Sequence, residues 1–214
     1  MRQLLLLSFV SAACAASSGC ATNGGDDMKG MDPDACPMPM TQADTGPLAA
    51  SKAQMCNVPG SMGKSHWYKL AAQLPDTIDY VQVELWDQHG VFAGGTVHPG
   101  MFTIAGAEAD PTTCGVCVRG VGAKDATDQK AYFATSGTVN VTAVGGSGQP
   151  FSATLSNISF VEIDSTATSL VASGCTAALD AAQITGTVVQ MGGTGGGGGG
   201  GGGSGGGCAL TVGD

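Results

Sequence analysis

Positive charge is scarce in this chain: 8 Lys+Arg stand against 17 Asp+Glu, a formal net charge of −9 over 214 residues. Neutralising a phosphate backbone takes a basic face, so this balance excludes nucleic acid as a partner. Aromatic residues make up only 5%, which leaves a core to be filled by aliphatic and small side chains. The N-terminal apolar run, Leu4 to Val10, is far shorter than the roughly 20 residues of a membrane-spanning helix. Of the three histidines, His66, His89 and His98, no two share a helical i, i+4 spacing, and they read as solvated loop residues rather than metal ligands. There is no Gly-x-Ser-x-Gly outside the poly-Gly run, and no Walker loop. Glu84 and Asp87 are near neighbours, but strand alternation puts them on opposite faces, which disfavours a paired acid and base. With no catalytic constellation, the expectation is a protein that is not an enzyme and carries no cofactor.

Glycine and cysteine are abundant. Of 36 Gly, 14 lie between Gly192 and Gly207, and the remainder still disfavours long helices, since each interior Gly costs a helix roughly 1 kcal/mol. Eight Cys point to an oxidising compartment. Met1 to Gln3 is a short positive start, the apolar run follows, and Ser11 to Gly19 is small and uncharged, the layout of a secretory signal peptide over residues 1–19. Cys14 and Cys20 both follow small residues and resemble the modified cysteine of a bacterial lipobox, while cleavage after Ala15 is the competing reading. Parity favours lipidation of Cys20, because it leaves an even set for disulfides: Cys36, Cys56, Cys114, Cys117, Cys175 and Cys208. Ala21 after an anchored Cys20 resembles lipoproteins directed to the outer membrane or cell surface. The expected partners are therefore the membrane, through an N-terminal lipid, and a protein or glycan ligand.

Residues 20–47 are rich in Asn, Gly, Asp and Pro and read as a disordered tether. A β domain is expected over 48–190, with a turn of helix possible at Leu48 to Met55 in an otherwise strand-like pattern. Val81, Val83 and Leu85 alternate with Gln82 and Glu84, the period-two signature of a strand. Further runs at 91–97, 101–104, 116–121, 131–133, 138–144, 151–156, 158–163 and 184–189 are separated by turn residues. About eight short strands without helices between them imply an all-β antiparallel sandwich or barrel, stapled by disulfides. Residues 191–207 form a poly-Gly loop or linker, and 208–214 a C-terminal segment expected to return to the sheet, since a longer flexible loop adds little closure entropy.

Thr113 to Val118, Ala131 to Val139, Phe151 to Ile158 and Gly174-Cys175 together resemble a group of secreted or lipidated proteins of myxobacteria and related soil bacteria. The resemblance covers about a third of the chain and implies an exported β-rich domain, with no activity attached. Two stretches carry rival chemistry. Met28, Met31, Met38 and Met40 group soft thioethers that would suit Cu(I) in an extracytoplasmic copper carrier, although the intervening prolines read as linker. Cys114 and Cys117 have the spacing of a thiol oxidoreductase pair, but the valines and glycines that follow offer no helix N-terminus to lower a thiol pKa, so a structural pair is favoured.

Overall fold

The strand pattern around Val81 to Leu85 is realised in the middle of a strongly curled mixed sheet. The computed structural model describes residues 36, 41–57, 66–76, 78–164 and 169–191. These form ten strands: β1 (Thr41–Ala49), β2 (Lys52–Asn57), β3 (His66–Gln73), β4 (Tyr80–Trp86), β5 (Gly100–Ile104), β6 (Val116–Gly122), β7 (Lys130–Ala143), β8 (Pro150–Ile163), β9 (Thr176–Thr187) and β10 (Val189–Gln190). No α-helix is present among the described residues, and the expected all-β, disulfide-stapled architecture is the one observed.

Hydrogen-bonded neighbours run β1-β9-β8-β7-β6-β4-β3-β2-β10, with β5 added to β7. The two ends of this path meet. The Ala50 N–H donates to the Thr185 carbonyl on β9 (2.9 Å) and the next amide, Ser51 N–H, to the Ala71 carbonyl on β3 (2.8 Å). β1 and β2 therefore act as one strand, paired in parallel with β9 and then β10 on one side and with β3 on the other. Counted that way the ring has seven strands. A ring of antiparallel neighbours needs an even number, so one seam must be parallel, and it is the one between β1/β2 and β9/β10.

Inward-facing residues fill the ring. Leu70, Val83, Val118, Tyr132, Leu155 and Ile184 are all buried in one cluster, and Tyr68 of β3 meets Phe151 of β8 edge-on at 6.2 Å although their strands are not neighbours. Burial of this kind is worth about 25 cal/mol per Å² of apolar surface. β7 and β8 are each 14 residues long, where the composition suggested pairs of shorter strands broken at Ser136-Gly137 and Asn157. The breaks are bulges. Register shifts between Ala134 and Thr138 let β7 pair with β6 through Lys130 to Phe133 and with β5 through Gly137 to Val141. Gly137 sits there at φ +126, and a Cβ on it would lie 2.6 Å from Ile158 Cδ1 and 2.8 Å from the Asn157 carbonyl, so only glycine fits.

Three expectations are corrected. Thr41 to Pro47, assigned to the tether, is strand β1, and Leu48 to Met55 is strand rather than helix. These residues lack strand composition, but pairing with β9 for β1 and with β3 and β10 for β2 supplies their backbone partners, and Pro47 is tolerated because β1 is an edge at that point. Residues 91–97 do not form a returning strand: Gly90–Phe92 is a 3₁₀ turn, because Phe92 is drawn into the core and the Val91 N–H goes to Glu108. The expected tether before Cys36 and the poly-Gly and C-terminal segments lie outside the described residues, as does Cys208.

Candidate functional site

Strand alternation sends Leu70, Val83 and Val118 into the barrel and turns the intervening residues outward. Register then lines these up across β2, β3, β4 and β6: Gln54, Lys69, Glu84 and Cys117 in one row, and Lys52, Ala71, Gln82 and Arg119 in the next, continuing to Phe133 of β7. This outward face is not open to solvent as an outer barrel surface usually is. Lys69 is 2% exposed and Glu84 3%. The Glu84 carboxylate accepts from Gln82 Nε2 and from Arg119 Nε at 3.3 Å, and the Arg119 guanidinium lies 5.4 Å from the centre of the Phe133 ring. Buried charges need such partners, since an unpaired one would cost several kcal/mol.

Beside this network lies a hollow of about 250 Å³ lined by Ser51, Lys52, Ala71, Tyr80, Gln82, Val121 and Lys124. Lys124 Nζ lies 5.6 Å from the centre of the Tyr80 ring, within the range of a cation–π contact, and 3.1 Å from both carboxylate oxygens of the exposed Asp125. Ser51 Oγ donates to the Ala71 carbonyl at 3.1 Å. The described cations are Lys52, Lys69, Arg119, Lys124 and Lys130, and four of the five stand in or beside this hollow. Only Lys130, bound to Glu162 at 3.0 Å, lies elsewhere. Among the described residues none that lines it is acidic, in a chain with 17 Asp+Glu.

The two ends of the barrel are built differently. At the end where β4 stops, Asp87 accepts from the Val97 N–H (2.6 Å), the His66 N–H (2.8 Å) and His66 Nδ1 (3.1 Å). Glu108, 3% exposed, accepts from three backbone amides, Val91 (2.8 Å), Gly115 (3.0 Å) and Val116 (2.5 Å). Trp67 and Trp86 pack at 5.4 Å there, and His98 lies against Phe92 at 5.3 Å. His66 is thus a strand residue tied to a buried carboxylate, not a solvated loop residue; His89 stays in a turn, bonded to the Asp87 carbonyl at 2.9 Å, and His98 is exposed. Glu84 and Asp87 enter separate networks.

At the opposite end, where β4 begins, Asp79 accepts the Ala123 N–H at 2.9 Å, and burial pushes its carboxyl up to about 6 against that hydrogen bond, with the neighbouring Asp76 charge adding to the rise. Among the described residues the buried hydroxyl of Tyr132 has no partner at this end, and the buried indole N–H of Trp67 has none at the other. Burial, followed by the charges of Glu162 and Asp79, pushes the Tyr132 phenol up to about 12.

The cysteines form staples. Cys36 is bonded to Cys175 with Cα atoms 5.6 Å apart, and Cys114 to Cys117 at 5.4 Å; Cys56 is also disulfide-bonded. Cys114 and Cys117 are buried in an outward apolar cluster with Ala131, Phe133 and Ile163, and the pair opens strand β6 rather than a helix. Cys20, Met28, Met31, Met38 and Met40 lie outside the described residues. Among the described residues no group of three or more His, Cys, Asp or Glu stands close enough to hold a metal ion, and no helix is long and apolar enough to cross a membrane.

Sequence reasoning did not single out Lys52, Tyr80, Gln82 or Lys124. The signal available was the alternation that puts Gln82 opposite Val81 and Val83, but which strands flank it depends on strand order. No family model, no curated protein and no solved structure matches the chain.

Proposed function

We propose that this protein is an exported lipoprotein, anchored through Cys20 on the outer membrane or cell surface, whose disulfide-stapled barrel is a non-catalytic module for binding or scaffolding. The observation that carries the reading is the Cys36–Cys175 disulfide, which closes a separation of 139 residues and ties the chain just ahead of β1 to the start of β9. A staple of that span is worth about 3 to 5 kcal/mol where it can form, and it persists in an oxidising compartment. It also fixes the barrel to the stretch leading from an N-terminal anchor. The buried Cys114–Cys117 pair adds to the same picture, since a reactive pair needs an accessible sulfur.

The test is an unreduced intact mass, with peptide mapping, of protein purified from its native membrane fraction. The expected result is a chain beginning at an acylated Cys20 with six cysteines oxidised: Cys36 to Cys175, Cys114 to Cys117, and a third bridge from Cys56, for which the even count leaves Cys208. A soluble chain beginning near Ala16, or free thiols at Cys114 and Cys117, would overturn the reading.

A further inference from the structure

We propose that the hollow between β2, β3, β4 and β6 is a binding site for a carboxylate-bearing sugar, a uronic acid either free or as one unit of an acidic polysaccharide. The inference rests on reading the domain as a binding module and names the ligand class of its site. Three observations carry it. The first is charge: Lys52 and Lys124 line the hollow, no acidic residue among those described does, and Arg119 and Lys69 stand beside it in the same outward rows. In a molecule of net charge −9, such a concave positive region concentrates anions against the surrounding field. Two acids beside these cations are already engaged, Glu84 by Arg119 and Gln82 and the exposed Asp125 by Lys124, the latter in a surface pair that solvent weakens.

The second observation is size. About 250 Å³ falls below the ~300 to 1,000 Å³ typical of pockets for drug-sized ligands, so the hollow holds one ring rather than an extended molecule. The third is the character of the wall. Tyr80 and Val121 are cross-strand partners, as are Ala71 and Gln82 in the adjacent row, so an aromatic and aliphatic pair adjoins the Gln82 amide. A pyranose has the same duality, an apolar C–H face and a ring of hydroxyls. Gln82 spends its amide N–H on Glu84, which leaves its carbonyl oxygen as an acceptor for a ligand hydroxyl, and Ser51 Oγ keeps its lone pairs for another. The carboxylate would lie between Lys52, which makes no ion pair among the described residues, and Lys124, whose ammonium is already placed by the Tyr80 ring.

The experiment is calorimetric titration of the intact, oxidised protein with sodium glucuronate, glucose and oligogalacturonate at fixed ionic strength. Glucuronate is expected to bind at least about tenfold more tightly than glucose, a difference of one charge-assisted contact. Tighter binding of the oligomer would identify a polysaccharide unit as the source, and equal binding the free sugar. Lys52→Ser with Lys124→Ser is expected to lose about tenfold or more in affinity with an unchanged melting temperature, and Tyr80→Ala to weaken glucose and glucuronate alike. Lys130→Ser, away from the hollow, is the control that leaves affinity unaltered. Equal affinity for glucose and glucuronate, or no heat from either acidic ligand, overturns the proposal. That failure is separable from failure of the binding-module reading, which turns on the acylation and disulfide state of the native protein and not on any sugar.

Discussion

The two ends of the barrel bury carboxylates to the same depth and treat them in opposite ways. Glu108 at one end is 3% exposed and Asp79 at the other 2%. Glu108 collects three backbone N–H groups, and Asp87 beside it collects two together with the His66 ring. Asp79 receives one, from Ala123, and has the Asp76 charge for a neighbour. Depth alone therefore does not set the consequence of burying a charge; the supply of donors does. The well-supplied end uses its carboxylates as clamps, Glu108 on the 3₁₀ turn at Val91 and on the segment that enters β6, and Asp87 on Val97 and His66. The poorly supplied end holds a carboxyl that favours its proton and a phenol with nothing to bond.

The largest effect is expected from removing the clamp. Glu108→Ala orphans the amides of Val91, Gly115 and Val116, and at roughly 1 to 3 kcal/mol for each unsatisfied group the loss is about 4 kcal/mol. Urea unfolding with the disulfides intact would measure it. Glu108→Gln keeps one acceptor oxygen and is expected to lose about half as much. If Glu108→Ala costs less than about 1 kcal/mol, the loops do not depend on this residue and the contrast between the ends fails.

Asp79→Asn probes the other end and is expected to act in the reverse direction. The folded state holds the Asp79 proton up to about pH 6, against an ordinary value of 3.8. Stability present below about pH 4 is therefore lost as the pH rises through about 6, by up to about 3 kcal/mol. Asparagine keeps the oxygen that accepts the Ala123 N–H and carries no charge. The variant should match the wild type at pH 4 and exceed it at pH 8, read from unfolding midpoints at both. Parallel curves for the two proteins would show that Asp79 does not bear the pH dependence.

The legible parts of this fold are those in which the local pattern and the tertiary environment agree. Val81, Val83 and Leu85 alternate cleanly because the interior of the barrel lies on one side of β4, and the same holds for Phe151, Ala153 and Leu155 of β8. β1 and β2 were illegible because Asp44, Gly46, Pro47 and Lys52 have no strand propensity; the backbone of β1 is held by β9, more than a hundred residues later, and that of β2 by β3 and β10. Gly137 and Asn157 read as strand ends because a bulge uses the same residues as a turn. The hollow was hidden for a further reason. Its residues come from the β1–β2 junction and from β3, β4, β6 and the turn after β6, and they meet only because β6 pairs with β4 while β5 is set aside on β7. The cysteine parity was legible as a set, whereas the pairing of Cys36 with Cys175 depends on where β9 begins.

The smallest effect sharpens the contrast most. Tyr132 is fully buried, and its hydroxyl has no partner among the described residues, while the charges of Glu162 and Asp79 add to burial in holding the phenol protonated. A buried hydroxyl without a bond forfeits its hydration and gains nothing in return, so Tyr132→Phe should be neutral or stabilising by up to about 1 kcal/mol. The ring remains in the core, so the packing contribution of the site does not change. A loss of more than about 1 kcal/mol would mean that the hydroxyl is bonded in solution and that this end is as well supplied as the other. Combining Tyr132→Phe with Asp79→Asn in a double-mutant cycle then separates the two causes. If the Asp79 charge acts on the phenol only through space, the interaction energy stays within about 0.5 kcal/mol at pH 8, and a larger value would make the pair one hydrogen-bonded unit.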